Sequence, residues 1–421
     1  MRPETRTTAT RLAALDGLRG IACLVVLAHH SLLSIPVFAD AYYHGADSRA
    51  SQTVAEYLLT WSPLHLVWEG TGAVWTFFVL SGFVLTRQAL DSPRFTWRAY
   101  YPQRIIRLYI PVVAAVGLAV ALVTLFGDAD HGAASSEWIA RRADAMNRRG
   151  VLHDLTLMLG AGAGISPLWS LQWEVWFSLL LPLFVFAVRA RGGATAWLAL
   201  ASAPLAAYAI LALGGGTYLA VFLVGAVLAG IRGHAGRPAS VIGTSRGAVR
   251  ALTAAAVLWV VVMLPARWTL WAWRLPGIVT MALSVSAAMV VVLLAMHWGP
   301  AQRVLTHRTL LWAGAVSFSL YLVHEPILVA SVKLFGDRTF WLALPIAAVV
   351  ALATAELFRR GIETPAASLA RRVGRGVAAC HPIQRRREAA ETSRQQRSST
   401  VGAAGRVAPR VREVPRPRGA E

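Results

Sequence analysis

Apolar residues in this chain come in blocks of about 20, the length a helix needs to cross a hydrocarbon core of about 30 Å. Polar or Gly/Pro-rich segments separate the blocks. The pattern predicts spans near 14–36, 68–87, 107–126, 168–188, 194–213, 216–231, 249–265, 276–296, 309–332 and 339–358. The expected fold class is an all-α integral membrane protein, a polytopic bundle of about ten transmembrane helices. In lipid, helices satisfy their own backbone hydrogen bonds.

Arg residues set the expected orientation. Short loops at 88–106, 189–193, 232–248 and 297–308 all carry them, which predicts cytoplasmic loops and an N-in/C-in topology. The chain then divides into a cytoplasmic N-terminus (1–13), a ten-span membrane domain (14–358) and an Arg-rich cytoplasmic tail (359–421) expected to stay disordered. Two longer outer segments, 37–67 and 127–167, are placed to cap a site, the second with an amphipathic surface helix around Trp138 to Met146. Arg2, Arg6 and Arg11 precede the first apolar run as in a signal peptide. That run is too long and lacks a small-residue cleavage site, so an uncleaved first span in an inner or plasma membrane is expected.

Composition agrees: 56% of residues are hydrophobic and only 15% charged, where a soluble domain carries about a quarter charged. The net charge of +20 raises nucleic acid as a partner, but from Arg359 onward 15 Arg face five Glu, so half the excess sits in the tail. That distribution fits topology and anionic lipid rather than a DNA-binding face. Forty of the 41 basic residues are Arg, as in chains from GC-rich bacteria. Cys23 and Cys380 are isolated, which argues against a disulfide framework or a thiolate metal site. There is no tandem repeat, Walker-type phosphate loop or second soluble domain.

Chemistry is sought among ionisable residues inside spans, since each costs a few kcal/mol at mid-bilayer. The first span, LDGLRGIACLVVLAHH, holds Asp16, Arg19, His29 and His30. At 100° per residue Arg19, Cys23, Leu27 and His30 share a stripe, while His29 points away and reads as a packing residue. In FFVLSGF, Ser81 and Gly82 sit among Phe77, Phe78 and Phe83, where small residues admit a helix or a ligand. RIIRLYIP sets Arg104 and Arg107 on one face, either as anchors at the membrane edge or as phosphate binders. PLWSLQWEVWFSLLLP aligns Ser170, Glu174 and Ser178, and Glu174 needs a partner from another span. SFSLYLVHEPIL places Ser317, Tyr321 and His324 on a stripe, with Glu325 and Pro326 beside it; this is a polar packing seam or part of a site. Depth counted from the span ends predicts two tiers: Arg19, Arg104, Arg107 and Ser81 in the inner half, and His30, Glu174 and His324 in the outer half.

Together these segments resemble the acyltransferase 3 family of bacterial membrane proteins, which move acetyl or longer acyl groups onto sugars and other hydroxyl acceptors. The resemblance rests on LDGLRG with the Arg19-to-His30 spacing, FFVLSGF, RIIRLYIP, WSLQWEVWF and SLYLVHEP, from residue 15 to about 328. It implies an acyl-CoA co-substrate from the cytoplasm, with no bound cofactor or metal, and a carbohydrate, glycolipid or glycosylated-metabolite acceptor. It carries essential roles onto Arg19, His30, Ser81, Arg104, Arg107 and Glu174, with Phe177 as the family's aromatic residue. Some relatives append an extracytoplasmic esterase-like domain, where this chain has only its tail.

The expected catalytic residues are His30, Glu174 and Arg19. Arg19, Ser81, Arg104 and Arg107 are the expected CoA-binding set, and Asp16, His29, Ser170, Ser317, Tyr321 and His324 the expected acceptor or site-lining residues. His30 acts either as general base, with Glu174 supporting its imidazolium, or as an acyl carrier. A proton-coupled transporter or flippase is the competing reading, since buried Arg, His and Glu suit that too.

Overall fold

The computed structural model describes residues 3–92, 95–126, 136–143, 146–158, 160–189, 217–234, 246–335 and 340–379, with no strand among them. The expected crossing at 194–213 and the tail beyond 379 lie outside the described residues. The helices are α1 (Pro3–Leu33), α2 (Pro36–His44), α3 (Val54–Trp61), α4 (Gly70–Asp91), α5 (Trp97–Phe126), α6 (Glu137–Ala143), α7 (Arg148–Thr156) and α8 (Leu168–Arg189). They continue as α9 (Thr217–His234), α10 (Arg246–Met263), α11 (Gly277–His297), α12 (Gly299–Leu305), α13 (Arg308–Phe335), α14 (Phe340–Phe358) and α15 (Thr364–Ala379).

Among the described residues, seven helical runs are long and apolar enough to cross a membrane: those in α1, α4, α5, α8, α11 and α13, and the continuous run Leu342–Ala378 through α14 and α15. With their apolar outer surfaces, this is an integral membrane protein. The spans expected at 216–231 and 249–265 appear as shorter apolar helices, Tyr218–Ile231 and Gly247–Met263.

The centre of the bundle is a parallel pair. Gly20 meets Gly314, Cys23 Sγ donates to the Ser317 carbonyl at 3.1 Å, and His30 reaches His324, each at the same offset of 294 residues. α1 and α13 thus run side by side in register, and glycine makes the approach possible. A Cβ on Gly314 would lie 2.1 Å from the Asp16 carbonyl oxygen, and one on Gly17 would lie 1.9 Å from that of Leu305. α4, α8 and α9 form a second parallel set. Trp75 stacks on Tyr218 and Phe78 on Phe222, while a Cβ on Gly82 would come within 2.1 Å of the Phe222 carbonyl oxygen. α5 runs antiparallel to α8, so that Tyr101 bonds the Leu179 carbonyl while Arg104 meets Ser178.

One expectation fails at the C-terminal end. Residues 359–379, expected to be disordered, continue from α14 through a π turn at Arg359–Glu363 into α15. Ala366, Ala370 and Gly374 recur every fourth residue and are buried, giving α15 a small-residue face that packs closely on α5 beside Gln103. The 37 residues of Leu342–Ala378 would measure about 55 Å at about 1.5 Å each, longer than a hydrocarbon core. A core of about 30 Å is crossed in about 20 residues, so Arg359 and Arg360 mark where the run leaves the apolar layer.

Candidate active site

Most of the sequence-selected polar residues fall into two adjoining clusters between these helices. The first lines a cavity of about 160 Å³ bounded by α1, α4, α5, α8 and α13. Arg19, Ser81, Arg104, Arg107, Ser170, Glu174, Ser317 and Tyr321 all face it, so eight sequence-selected residues from five helices converge on one space. Within it Arg104 is held by Glu174 in a very short contact, and its Nε donates to Ser178 Oγ at 3.0 Å. Ser81 Oγ lies 3.5 Å from the same Glu174 oxygen. Arg19 and Arg107 form no ion pair among the described residues, so their charges face the cavity. Ser170 and Tyr321 close one side with a 2.6 Å hydrogen bond.

The second cluster lies beyond that Ser170–Tyr321 contact, one turn further along α13. His324 Nδ1 is 2.8 Å from the Leu320 carbonyl, and His324 Nε2 is 2.8 Å from His30 Nδ1. A carbonyl only accepts, so His324 carries its proton on Nδ1. In the neutral pair its Nε2 then accepts from His30 Nδ1–H, which leaves the His30 Nε2 lone pair unengaged. These proton positions follow from the hydrogen-bond network. The Nε2 atom faces Glu325 Oε2 at 4.0 Å, and the His30 side chain is 12% exposed, enough to be reached.

A connecting segment covers this cluster. Trp138 of α6, 2% exposed, stacks on the His30 ring with centroids 5.4 Å apart. From the same helix Arg142 Nε lies 3.1 Å from Glu325 Oε1, close enough for an ion pair but off the axis of a hydrogen bond. Ser166 engages Glu325 through both its backbone N–H, at 2.8 Å, and its hydroxyl. Asp154 shapes that loop by accepting the backbone N–H groups of Gly162, Gly164 and Ile165 at 2.7, 3.1 and 2.7 Å. Burial raises the Asp154 carboxyl above its ordinary range, against the pull of those donors.

Some placements differ from the expectation. Glu174 joins the arginines rather than His30, because antiparallel α5 sets Arg104 directly opposite it; the carboxylate beside His30 is Glu325. The described part of α6 is Glu137–Ala143, and Met146 lies in a turn rather than in the helix expected to reach it. His29 is buried, with Nδ1 3.0 Å from the Trp68 carbonyl and Gly70 packed on its ring, so it is a packing residue. Asp16 is exposed and off the cavity, and Phe177 is buried against Phe222. The segment 127–167, expected to cap a site, does cover this cluster, but nothing in its pattern marks Trp138, Arg142 and Ser166 as the residues that meet His30 and Glu325. For Glu325, a carboxylate inside an apolar span was the available signal.

Residues 12–360 match the acyltransferase domain of the acyltransferase 3 family. The chain belongs to that family. Acyltransferase MdmB of Streptomyces mycarofaciens is 33% identical over 185 residues, 42% of this chain and 40% of that protein. The chain thus spans less than half the length of this curated relative. No solved structure matches.

Proposed function

We propose that this acyltransferase takes its acyl group, acetyl in the simplest case, from cytoplasmic acyl-CoA and passes it to a hydroxyl of a carbohydrate or glycosylated acceptor. The observation that carries this reading is the His30 Nε2 lone pair, oriented by His324 and located next to the arginine-lined cavity. A membrane domain of ten spans, N-in and C-in, would open that cavity toward the cytoplasm, where Arg19 and Arg107 meet the CoA phosphates. Arg104 is already engaged by Glu174, which makes it a secondary phosphate contact and the pair a support for the cavity wall.

In this scheme the pantetheine arm passes Ser81 and the thioester reaches His30 beyond the Ser170–Tyr321 contact. His30 Nε2 takes the proton of the acceptor hydroxyl as its oxygen attacks the thioester carbon. The tetrahedral intermediate collapses with cleavage of the C–S bond, and the leaving thiolate takes the proton back from His30. Glu325 lies where a carboxylate steadies the transient imidazolium, the role expected of Glu174 from sequence. Direct attack is favoured over an acyl-His30 intermediate because Glu325 and the Trp138 face crowd Nε2.

The test is turnover of radiolabelled acetyl-CoA by protein in nanodiscs, supplied with glycan and lipid extracts, beside His30→Ala and Arg19→Ala variants of equal fold. Loss of at least about two orders of magnitude in His30→Ala, the range for a removed general base, supports the reading. Wild-type protein that neither binds nor consumes acyl-CoA overturns it in favour of a carrier.

A further inference from the structure

A second and larger cavity, about 440 Å³, lies on the other side of α1. Leu18, Ile21, Ala22 and Val25 line it. On the helical wheel these residues face away from the Arg19, Cys23 and His30 stripe, so α1 separates this space from the arginine-lined cavity. α4, α10, α11 and α12 complete the walls. Glu69 and Thr76 are the hydrogen-bonding side chains along α4, and both are already engaged. Glu69 accepts from Gly72 N–H at 2.8 Å, and Thr76 donates to the Gly72 carbonyl at 2.9 Å.

Apart from the Trp298 indole and the Glu69 Oε2, which pairs with His65 Nε2 at 3.0 Å, the walls offer water no partners, and apolar cavities of this kind take hydrocarbon rather than water. Its size falls within the range of pockets for elongated small ligands. It also opens sideways: Val304 lines it and is 60% exposed, on an apolar flank that faces lipid in a membrane protein. The mouth carries a charge. Arg303 is exposed on α12 between the lining residues Ala301 and Val304, with no ion-pair partner among the described residues, while the far end holds the carboxylate of Glu69. A negative headgroup is therefore favoured at α12 and disfavoured at the α4 end.

We propose that this cavity binds one acyl chain of an anionic membrane phospholipid, with the phosphate at Arg303 and the chain wedged between α10 and the back of α1. The lipid is a structural ligand, not a substrate, because α1 stands between it and His30. This inference is independent of the acyl-transfer reading.

The test is native mass spectrometry of the full chain after a detergent wash that strips loosely held lipid and re-addition of palmitoyl-oleoyl phosphatidylglycerol or phosphatidylcholine. Wild-type protein is expected to retain a phosphatidylglycerol. Ala295→Phe, which fills the cavity, is expected to lower occupancy at least about tenfold, equivalent to about 1.4 kcal/mol. Arg303→Ala is expected to keep chain binding but lose the preference for the anionic headgroup. If Ala295→Phe does not fold, as judged by gel filtration and thermal unfolding, Ala301→Phe at the mouth reads the same quantity. Retention in a folded, cavity-filled variant equal to wild type overturns the site and leaves belt lipid only. Equal retention of the two lipids by wild type overturns the headgroup assignment.

Discussion

His30 Nδ1 and His324 Nε2 stand 2.8 Å apart on helices that run parallel at a constant offset of 294 residues. Because His324 is itself anchored to the Leu320 carbonyl, it acts on His30 as a fixed acceptor and holds the tautomer that exposes Nε2. His324→Phe removes the acceptor and is expected to lower single-turnover acyl transfer by about 100-fold or more, as for loss of a group that orients a catalytic histidine. His324→Gln, whose amide oxygen can accept from Nδ1–H, is expected to retain several-fold more. A purely structural role would instead damage stability equally in both variants and leave the pH dependence of turnover unchanged.

The arginines divide by partner, and so should their kinetics. Arg19 and Arg107 face the arginine-lined cavity without ion pairs among the described residues, so under the proposed function Arg107→Ala is expected to raise KM for acyl-CoA by about tenfold or more, the loss of one charge-assisted contact. Arg104→Ala also strands Glu174, and its first effect is expected on thermal stability. Glu174→Gln in the Arg104→Ala background should recover much of that stability, because the neutral amide is cheaper to bury alone. Unfolding midpoints and a KM-against-kcat comparison of the three variants check both statements.

The register of the two histidines depends on residues that touch neither. A Cβ at Gly20 would lie 2.6 Å from the Gly314 nitrogen, and one at Gly314 would strike the Asp16 carbonyl. Gly314→Ala therefore pushes α13 off α1 and is expected to cost about 1–3 kcal/mol, as overpacking does, together with a loss of turnover out of proportion to that cost. Gly117→Ala is the control, because a Cβ at that position would meet no atom within 4 Å. Circular dichroism melts and turnover measured on the same preparations distinguish the two.

Much of this was legible from period and depth. Apolar blocks located the described crossings to within a few residues, except at α5, whose start at Trp97 is ten residues ahead of the expected 107 because Arg104 and Arg107 lie inside the helix, and at the last run, which continues to Ala378 rather than ending near 358. Helical phase correctly put Arg19 and His30 on one stripe, and Ser317, Tyr321 and His324 on another. It did not say which carboxylate meets His30. Depth grouped Glu174 with the histidines, but partner choice depends on which helix stands opposite, and that is tertiary information. Composition misread α15, where an Arg-rich segment hides a stripe of Ala and Gly. The segment 127–167 was legible as a cover, but not which of its side chains meet the site, because Trp138 and Arg142 take their partners from α1 and α13.

Arg142 and Glu325 make the next prediction. Glu325 is 2% exposed, and Arg142 supplies the ion pair that accompanies Trp138 onto the His30 ring. Arg142→Ala leaves a buried carboxylate short of its cation and is expected to cost about 3–5 kcal/mol. Glu325→Gln keeps the Ser166 contacts and should cost less stability while still lowering turnover. If Glu325→Gln leaves the pH profile of turnover unchanged, Glu325 holds the cover in place and does not assist His30.

The last prediction concerns Glu69, which caps α4 beside the His29 ring. Burial raises its carboxyl, but the His65 ring, 3.0 Å away at ion-pair distance and off the axis of a hydrogen bond, together with the Gly72 N–H outweighs burial and holds it below the ordinary carboxylate range. A folded-state value below the unfolded one contributes stability above the ordinary Glu range, about pH 4.3, and that contribution is lost as pH falls through the folded value. Glu69→Gln is expected to lower stability at pH 7 by about 1–3 kcal/mol, the scale of a hydrogen bond to a charged group. The gap between wild type and variant should then narrow steadily on acidification through the carboxylate range. Unfolding midpoints taken from pH 7 to below that range in one detergent measure the gap, and a difference that stays constant with pH would show that Glu69 acts through shape rather than charge.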